Sequence, residues 1–205
     1  MKQVVIFDCE WLTDNGAWER SNCGPYDPDP QIVQLGAIRI ALNPELTILQ
    51  QFNQYVRPRT RTGEQHVIPE FFSEFTGITK EKIAKDGKNF SEVIDDFLSF
   101  SNQADCFWSW GKDELAIAKS CYLSKLTFPI APDLFGNISK IFLTAGMPLS
   151  DILKTNSGRL AQYYGLSLNN HSEHNALCDV LSIHASLKHL SDLGKLDSNW
   201  LEKPV

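Results

Sequence analysis

Gln3-Val4-Val5-Ile6-Phe7-Asp8-Cys9-Glu10 is a short apolar, β-branched run that stops at two acids. It reads as a buried strand over Gln3–Cys9. Residues two apart in a strand share a face, so the carboxylates of Asp8 and Glu10 project together at its C-terminal end. Open α/β sheets place their ligands at that end. Two carboxylates a few ångströms apart repel each other, and a divalent cation resolves the conflict. All-oxygen ligands suit Mg²⁺ or Mn²⁺. Taken alone, so short a motif also arises as an ordinary acidic turn.

Outward from that strand, residues 12–31 form a polar loop containing Thr13-Asp14-Asn15-Gly16 and then Pro25, Pro28 and Pro30. Ile32–Ala41 and Leu46–Val56 read as the next two strands, with a turn at Asn43-Pro44. Arg57-Pro58-Arg59-Thr60-Arg61 opens a second irregular stretch. Asn89–Phe100 is predicted to be helical, because Phe90, Val93, Ile94, Phe97 and Leu98 fall on one stripe. Cys106–Trp110 reads as a fourth strand, Leu115–Leu123 as a helix, Phe128–Ala131 as a short strand and Asn175–Leu190 as a final long helix. Strands first, then alternating helix and strand, give an α/β fold with a mixed sheet covered by helices.

Two further segments carry polar chemistry. In His174-Asn175-Ala176-Leu177-Cys178-Asp179, the histidine and the final aspartate would fall on different sides of a continuous helix. His174 is therefore expected on the loop before the helix and Asp179 inside it. Asp179 shares a stripe with Ala176 and Ile183, and an acid on a small, apolar face calls for a partner or a metal. Trp108-Ser109-Trp110-Gly111-Lys112-Asp113-Glu114 passes from strand to helix, where acids also complement a helix N-terminus.

In this order, Asp-x-Glu, a mid-chain Asp and His-x-x-x-x-Asp resemble the DEDDh (DnaQ-like) 3′–5′ exonuclease superfamily, over nearly the whole chain. Finer matches are similar to the branch of histone-mRNA exonucleases and KapD-type proteins. They are Tyr55-Val56-Arg57-Pro58, Phe72-Ser73-Glu74-Phe75-Thr76-Gly77-Ile78-Thr79, Ser109-Trp110-Gly111 and His174-Asn175-Ala176-Leu177. The resemblance implies a single exonuclease domain over residues 1–205, with a ribonuclease-H-like, five-stranded mixed sheet flanked by helices. It implies two Mg²⁺ or Mn²⁺ ions held by Asp8, Glu10, Asp113 and Asp179, and His174 as general base. Relatives read W-G-x-x-D, which puts the third acid at Glu114, whereas this chain has an Asp one residue earlier. Asp113 is the expected ligand for its shorter side chain, and Glu114 is the alternative. Trp11 and Leu12 follow the acidic pair and are positioned to stack or wedge against a terminal base. Phe71, Phe72 and Phe75 read as core.

Composition bounds the rest. With 205 residues, 42 % hydrophobic and 21 % charged, the chain is ordinary globular material for one domain. No apolar run approaches a membrane span, and the N-terminal run is too short for a signal peptide. Five cysteines without CxxC spacing suggest neither a disulfide framework nor a zinc site, so a cytoplasmic location is expected. The formal charge of −6 is unusual for a protein that merely coats nucleic acid. Two bound divalent cations would bring it to about −2. Arg57, Arg59 and Arg61, and Lys80, Lys82 and Lys85, are the basic clusters available to backbone phosphate. The expected partner is single-stranded RNA or DNA. A catalytically silent binding module and a small-nucleotide phosphohydrolase are the alternatives.

Overall fold

The computed structural model describes residues 2–60, 62–168 and 173–204. Its centre is β1 (Gln3–Trp11), which pairs antiparallel with β2 (Ile32–Ala41) on one side and parallel with β5 (Cys106–Ser109) on the other. Beyond β2 lie β3 (Ile48–Val56) and the two-residue β4 (Gly87–Lys88); beyond β5 lies β6 (Phe135–Asn137). The order β4-β3-β2-β1-β5-β6 makes a mixed six-stranded sheet. The expected α/β fold is therefore present, with β4 as a sixth strand at the edge.

β1 is covered on both faces, which is why its sequence is an unbroken apolar run rather than an alternating one. Val4 and Ile6 pack with Val180, Ile183 and Leu187 of α8 (Ala176–Asp192). Val5 and Phe7 pack with Val93, Ile94 and Phe97 of α3 (Phe90–Ser101) and Ile117 of α4 (Glu114–Leu123). Parity then carries the α8 face onward to Asp8 and Glu10. The α3 stripe is buried as expected, and its first turn closes with a capping box between Asn89 and Glu92.

Three short helices, α5 (Ser139–Thr144), α6 (Leu149–Ile152) and α7 (Leu160–Tyr163), lead from β6 to α8. Two more, α1 (Glu70–Thr76) and α2 (Lys80–Asp86), occupy the stretch after Arg57. The strand expected at Phe128–Ala131 is instead irregular, and β6 forms a few residues later. Pro129 and Pro132 deprive the earlier segment of ladder donors, and Phe128 stacks on Phe135. Among the described residues, no helix is long and apolar enough to cross a membrane.

Candidate functional site

Gly36 sets the site's geometry. It lies opposite Asp8 in the β1–β2 register, and a Cβ there would come within 2.3–2.4 Å of the backbone of Ala176 and Leu177. Only a glycine lets the start of α8 lie against the sheet at that point. Gln34, fully buried and opposite Glu10, accepts from the Ala176 N–H at 3.2 Å, while Asn175 caps the helix through the Cys178 N–H. The helix is thereby docked so that Asp179, in its first turn, meets the two acids of β1. Carboxylate oxygens of Asp8, Glu10 and Asp179 all lie within 4.8 Å of one another.

Asp113 comes up beside Asp8 from the β5–α4 passage and lines the same cleft, outside the 4.8 Å triad. Gly111 takes φ +100° there, its N–H donates to Asn137 Oδ1 at 3.0 Å, and the Asp113 N–H donates to Ser109 Oγ at 3.3 Å. The turn buries the Asp113 side chain beside Asp8 and the backbone of Cys9. Glu114, half-buried, does not line the cleft. Of the two alternatives, then, Asp113 is the one on the cleft wall.

Burial and mutual repulsion raise the proton affinity of all four acids. Desolvation is the first cause at each. It holds Asp8 and Asp113 well above the usual carboxylate range, together with repulsion from their acidic neighbours. Glu10 is pushed up to about 8, with Asp179 as the second cause. Asp179 rises to about 7, although a hydrogen bond from Ser157 pulls the other way. The residues fit a divalent cation on their own terms: the donors are all oxygen, and Asp179 Oδ1 is buried with no hydrogen-bond partner among the described residues.

Ser157 was not apparent from sequence. Its hydroxyl lies 3.2 Å from Asp8 Oδ1 and 3.4 Å from Asp179 Oδ2, bridging strand and helix. The neighbouring Gly158 makes room, since a Cβ there would meet Asp179 Oδ1 at 2.7 Å. Nothing local marks a serine in an Asn-Ser-Gly turn as a site residue.

His174 sits on the loop before α8, as expected, in a left-handed conformation at φ +59°. Its ring packs on Phe75 with centroids 3.8 Å apart, and Phe75 stacks in turn on Phe71 at 5.8 Å. Half-burial lowers its pKa below the ordinary imidazole value; Glu173 opposes the shift and Arg159 reinforces it.

These groups line an open cleft of about 500 Å³, with Phe71, Phe75 and His174 among its walls and Trp11, Trp18 and Trp110 contributing further aromatic surface. The expectation that Phe71, Phe72 and Phe75 are core holds for Phe72 alone; Phe75 is 46 % exposed. Trp11 reaches the cleft, but Leu12 does not. The β1–β2 register shifts between Glu10 and Trp11, and Leu12 turns into a cluster with Val33, Phe72 and Ile78. Its side chain is fully buried and cannot wedge a base.

Of the basic residues, Lys80 and Lys82 pair with Glu81 and Asp86 on an exposed face. Arg57 and Arg59 line a different pocket. Arg61 lies outside the described residues.

The family profile described as Exonuclease (RNase_T) matches residues 5–122, more than half the chain, and spans Asp8, Glu10 and Asp113. No curated protein matches by sequence. Among solved structures, the nuclease domain of 3′hExo, a DEDDh family member bound to rAMP, is similar at TM-score 0.76 and 19 % identity, over 95 % of this chain and 94 % of that one. Cell-death related nuclease 4 is similar at TM-score 0.70 and 20 % identity, over 95 % and 65 %. E. coli exonuclease I with single-stranded DNA is similar at TM-score 0.65 and 16 % identity, over 92 % of this chain and 40 % of that one. With three of the four acids inside a matched profile that covers more than half of its length, this chain belongs to the exonuclease (RNase_T) family.

Proposed function

We propose that the chain is a single-domain, metal-dependent 3′–5′ exonuclease acting on single-stranded RNA or DNA. One observation carries the reading: four buried acids converge at the floor of an open, aromatic-walled cleft, at a cost in repulsion that a purely structural role would not justify. Asp8, Glu10, Asp113 and Asp179 would hold two Mg²⁺ or Mn²⁺ ions. When bound, such ions supply charge neutralisation and Lewis acidity at the scissile phosphate. Ser157 fixes the Asp8 and Asp179 carboxylates relative to each other. The Phe71–Phe75 stack and Trp11 offer faces for the terminal bases.

His174, neutral at pH 7 because its pKa is lowered, takes the proton of the attacking water. The water oxygen bonds to phosphorus and the P–O3′ bond breaks. A nucleoside 5′-monophosphate departs, and the shortened strand's 3′ oxygen takes a proton from solvent. Replacing His174 with Gln should lower kcat about 100-fold with little change in KM. It should also flatten the acid limb of the rate–pH profile, which in the parent lies below about pH 6.5. An unchanged limb would assign the base elsewhere.

The overall reading is tested with 5′-labelled RNA and DNA oligonucleotides in Mn²⁺, in EDTA and with Asp8→Asn. A ladder shortening from the 3′ end, lost in EDTA and in the variant, is expected, and its appearance on RNA, DNA or both gives the sugar preference. Intact strands from folded protein under every condition would leave a silent binding module or a nucleotide hydrolase.

A further inference from the structure

We propose that a second pocket, at the same end of the sheet but on its α3–α4 face, binds a phosphate of the nucleic-acid strand upstream of the reacting end. The pocket encloses about 340 Å³ and is lined by Arg57, Arg59 and Lys125 together with hydroxyls of Thr60, Ser91 and Ser124. Among the described residues, no Asp or Glu lines it. Among the described residues, none of its three cations forms an ion pair, whereas Lys80, Lys82 and Lys88 each find an acid. In a chain with 25 acids and 19 Lys and Arg, three unpaired cations around one concavity mark a place for an anion.

The donors are also pre-arranged. Arg59 is fixed by hydrogen bonds to Gly63 O at 3.0 Å and Asn89 Oδ1 at 3.3 Å, which leave most of its five N–H groups free. Phe90 and Ser91 begin the 12-residue α3 on the pocket wall, and their N–H groups have no partner within the helix. Lys125 stands just beyond α4 in a left-handed conformation, φ +57°, where helices ordinarily place glycine.

The pocket is coupled to the cleft through Gln31. The carbonyl of Gln31 accepts from the Leu12 N–H, two residues past Glu10, and its side chain accepts from the Arg59 N–H. β2 lies between β1 and β3, so the strand ends that carry Glu10 and Arg57 stand about 10 Å apart. At ~3.4 Å per stacked nucleotide, a strand of about three or more nucleotides is needed to reach from one to the other. The identity of the ligand as a strand rests on the exonuclease reading; the phosphate chemistry of the pocket does not.

The test measures binding by fluorescence anisotropy of 5′-labelled 12-mer and dinucleotide in an Asp8→Asn background, so that no turnover is required. Lys125→Ala and Arg59→Gln/Lys125→Ala are compared with their parent, with thermal melts to verify folding. The double variant is expected to bind the 12-mer about 10-fold more weakly, with a log–log salt slope reduced by about 0.7 for one lost phosphate contact. Lys125→Ala, at an exposed residue that forms no ion pair among the described residues, should show a smaller change in the same direction. Dinucleotide binding should stay the same, and inorganic phosphate should compete with the 12-mer less well in the double variant than in its parent. Unchanged 12-mer affinity and slope would overturn the proposal, as would equal weakening of the dinucleotide. Phosphate binding in the pocket without effect on the 12-mer would overturn the strand as its source. If 12-mer binding depends on the pocket while the unsubstituted protein cuts nothing, the exonuclease reading fails and the pocket stands; if no strand binds at all, both fail.

Discussion

Replacing Glu10 with Gln is expected to remove cleavage and, in the same protein, to raise its melting temperature in the absence of metal. Glu10 is buried beside Asp179, and its carboxyl holds its proton up to about pH 8. In the unfolded chain a glutamate ionises near pH 4.3, so at pH 8 folding must either retain a proton or bury a charge among acids. Glutamine has nearly the same shape and carries no charge. Allowing for the cost of burying an amide, the metal-free protein should gain about 2 kcal/mol at pH 8, or roughly 4–8 °C for a chain of this size. Activity moves the other way. Losing one of the carboxylates that meet within 4.8 Å should cost roughly 10³-fold in turnover, about 4 kcal/mol of barrier. Opposite signs in one variant are the signature of an acid kept for function at the expense of stability. A variant that melts lower in chelator at pH 8, or one that still turns over, would remove Glu10 from this role.

Three of the four acids were legible in the sequence because their placement follows from a local period; Asp113, in a turn, was expected only through the family resemblance. A strand's two-residue alternation puts Asp8 and Glu10 beyond Val4 and Ile6 on the α8 face, and the helical stripe through Ala176 and Ile183 aims Asp179 back at them. Where the period breaks, the reading breaks with it. The register shift after Glu10 turns Leu12 into the core, although simple alternation would have pointed it at the cleft. Phe71 and Phe75 share the spacing of core residues, and only the packing of α1 beside His174 shows that they face a cleft. Ser157 becomes a site residue because Gly158 lets its turn rest on Asp179, a contact between segments 22 residues apart that no local pattern encodes. Arg57 and Arg59 were visible as charge, but their separation from the cleft depends on the path of the loop after β3.

In chelator, the melting temperature should fall as pH rises from 6.5 to 8.5, and saturating Mn²⁺ should abolish or reverse that fall while restoring activity that EDTA removes. His174 and His184 have lowered pKa values, so they add a small slope of the opposite sign that is spent within about one pH unit above the unfolded value of about 6.5. The acids dominate. With Asp179 near 7 and Glu10 near 8, the folded protein holds more protons than the unfolded one throughout this window, and stability must decline as those protons leave. A loss of about 2–3 kcal/mol corresponds to a drop of roughly 4–12 °C. A cation that binds only the folded cluster stabilises by mass action, and more strongly at higher pH, where its ligands are ionised without competition from protons. Glu10→Gln should flatten the chelated curve and reduce the gain from Mn²⁺, so the two experiments check each other. Parallel pH trends with and without the cation would mean that these carboxylates do not hold it, and the repulsion among four buried acids would then be left without a function to account for it.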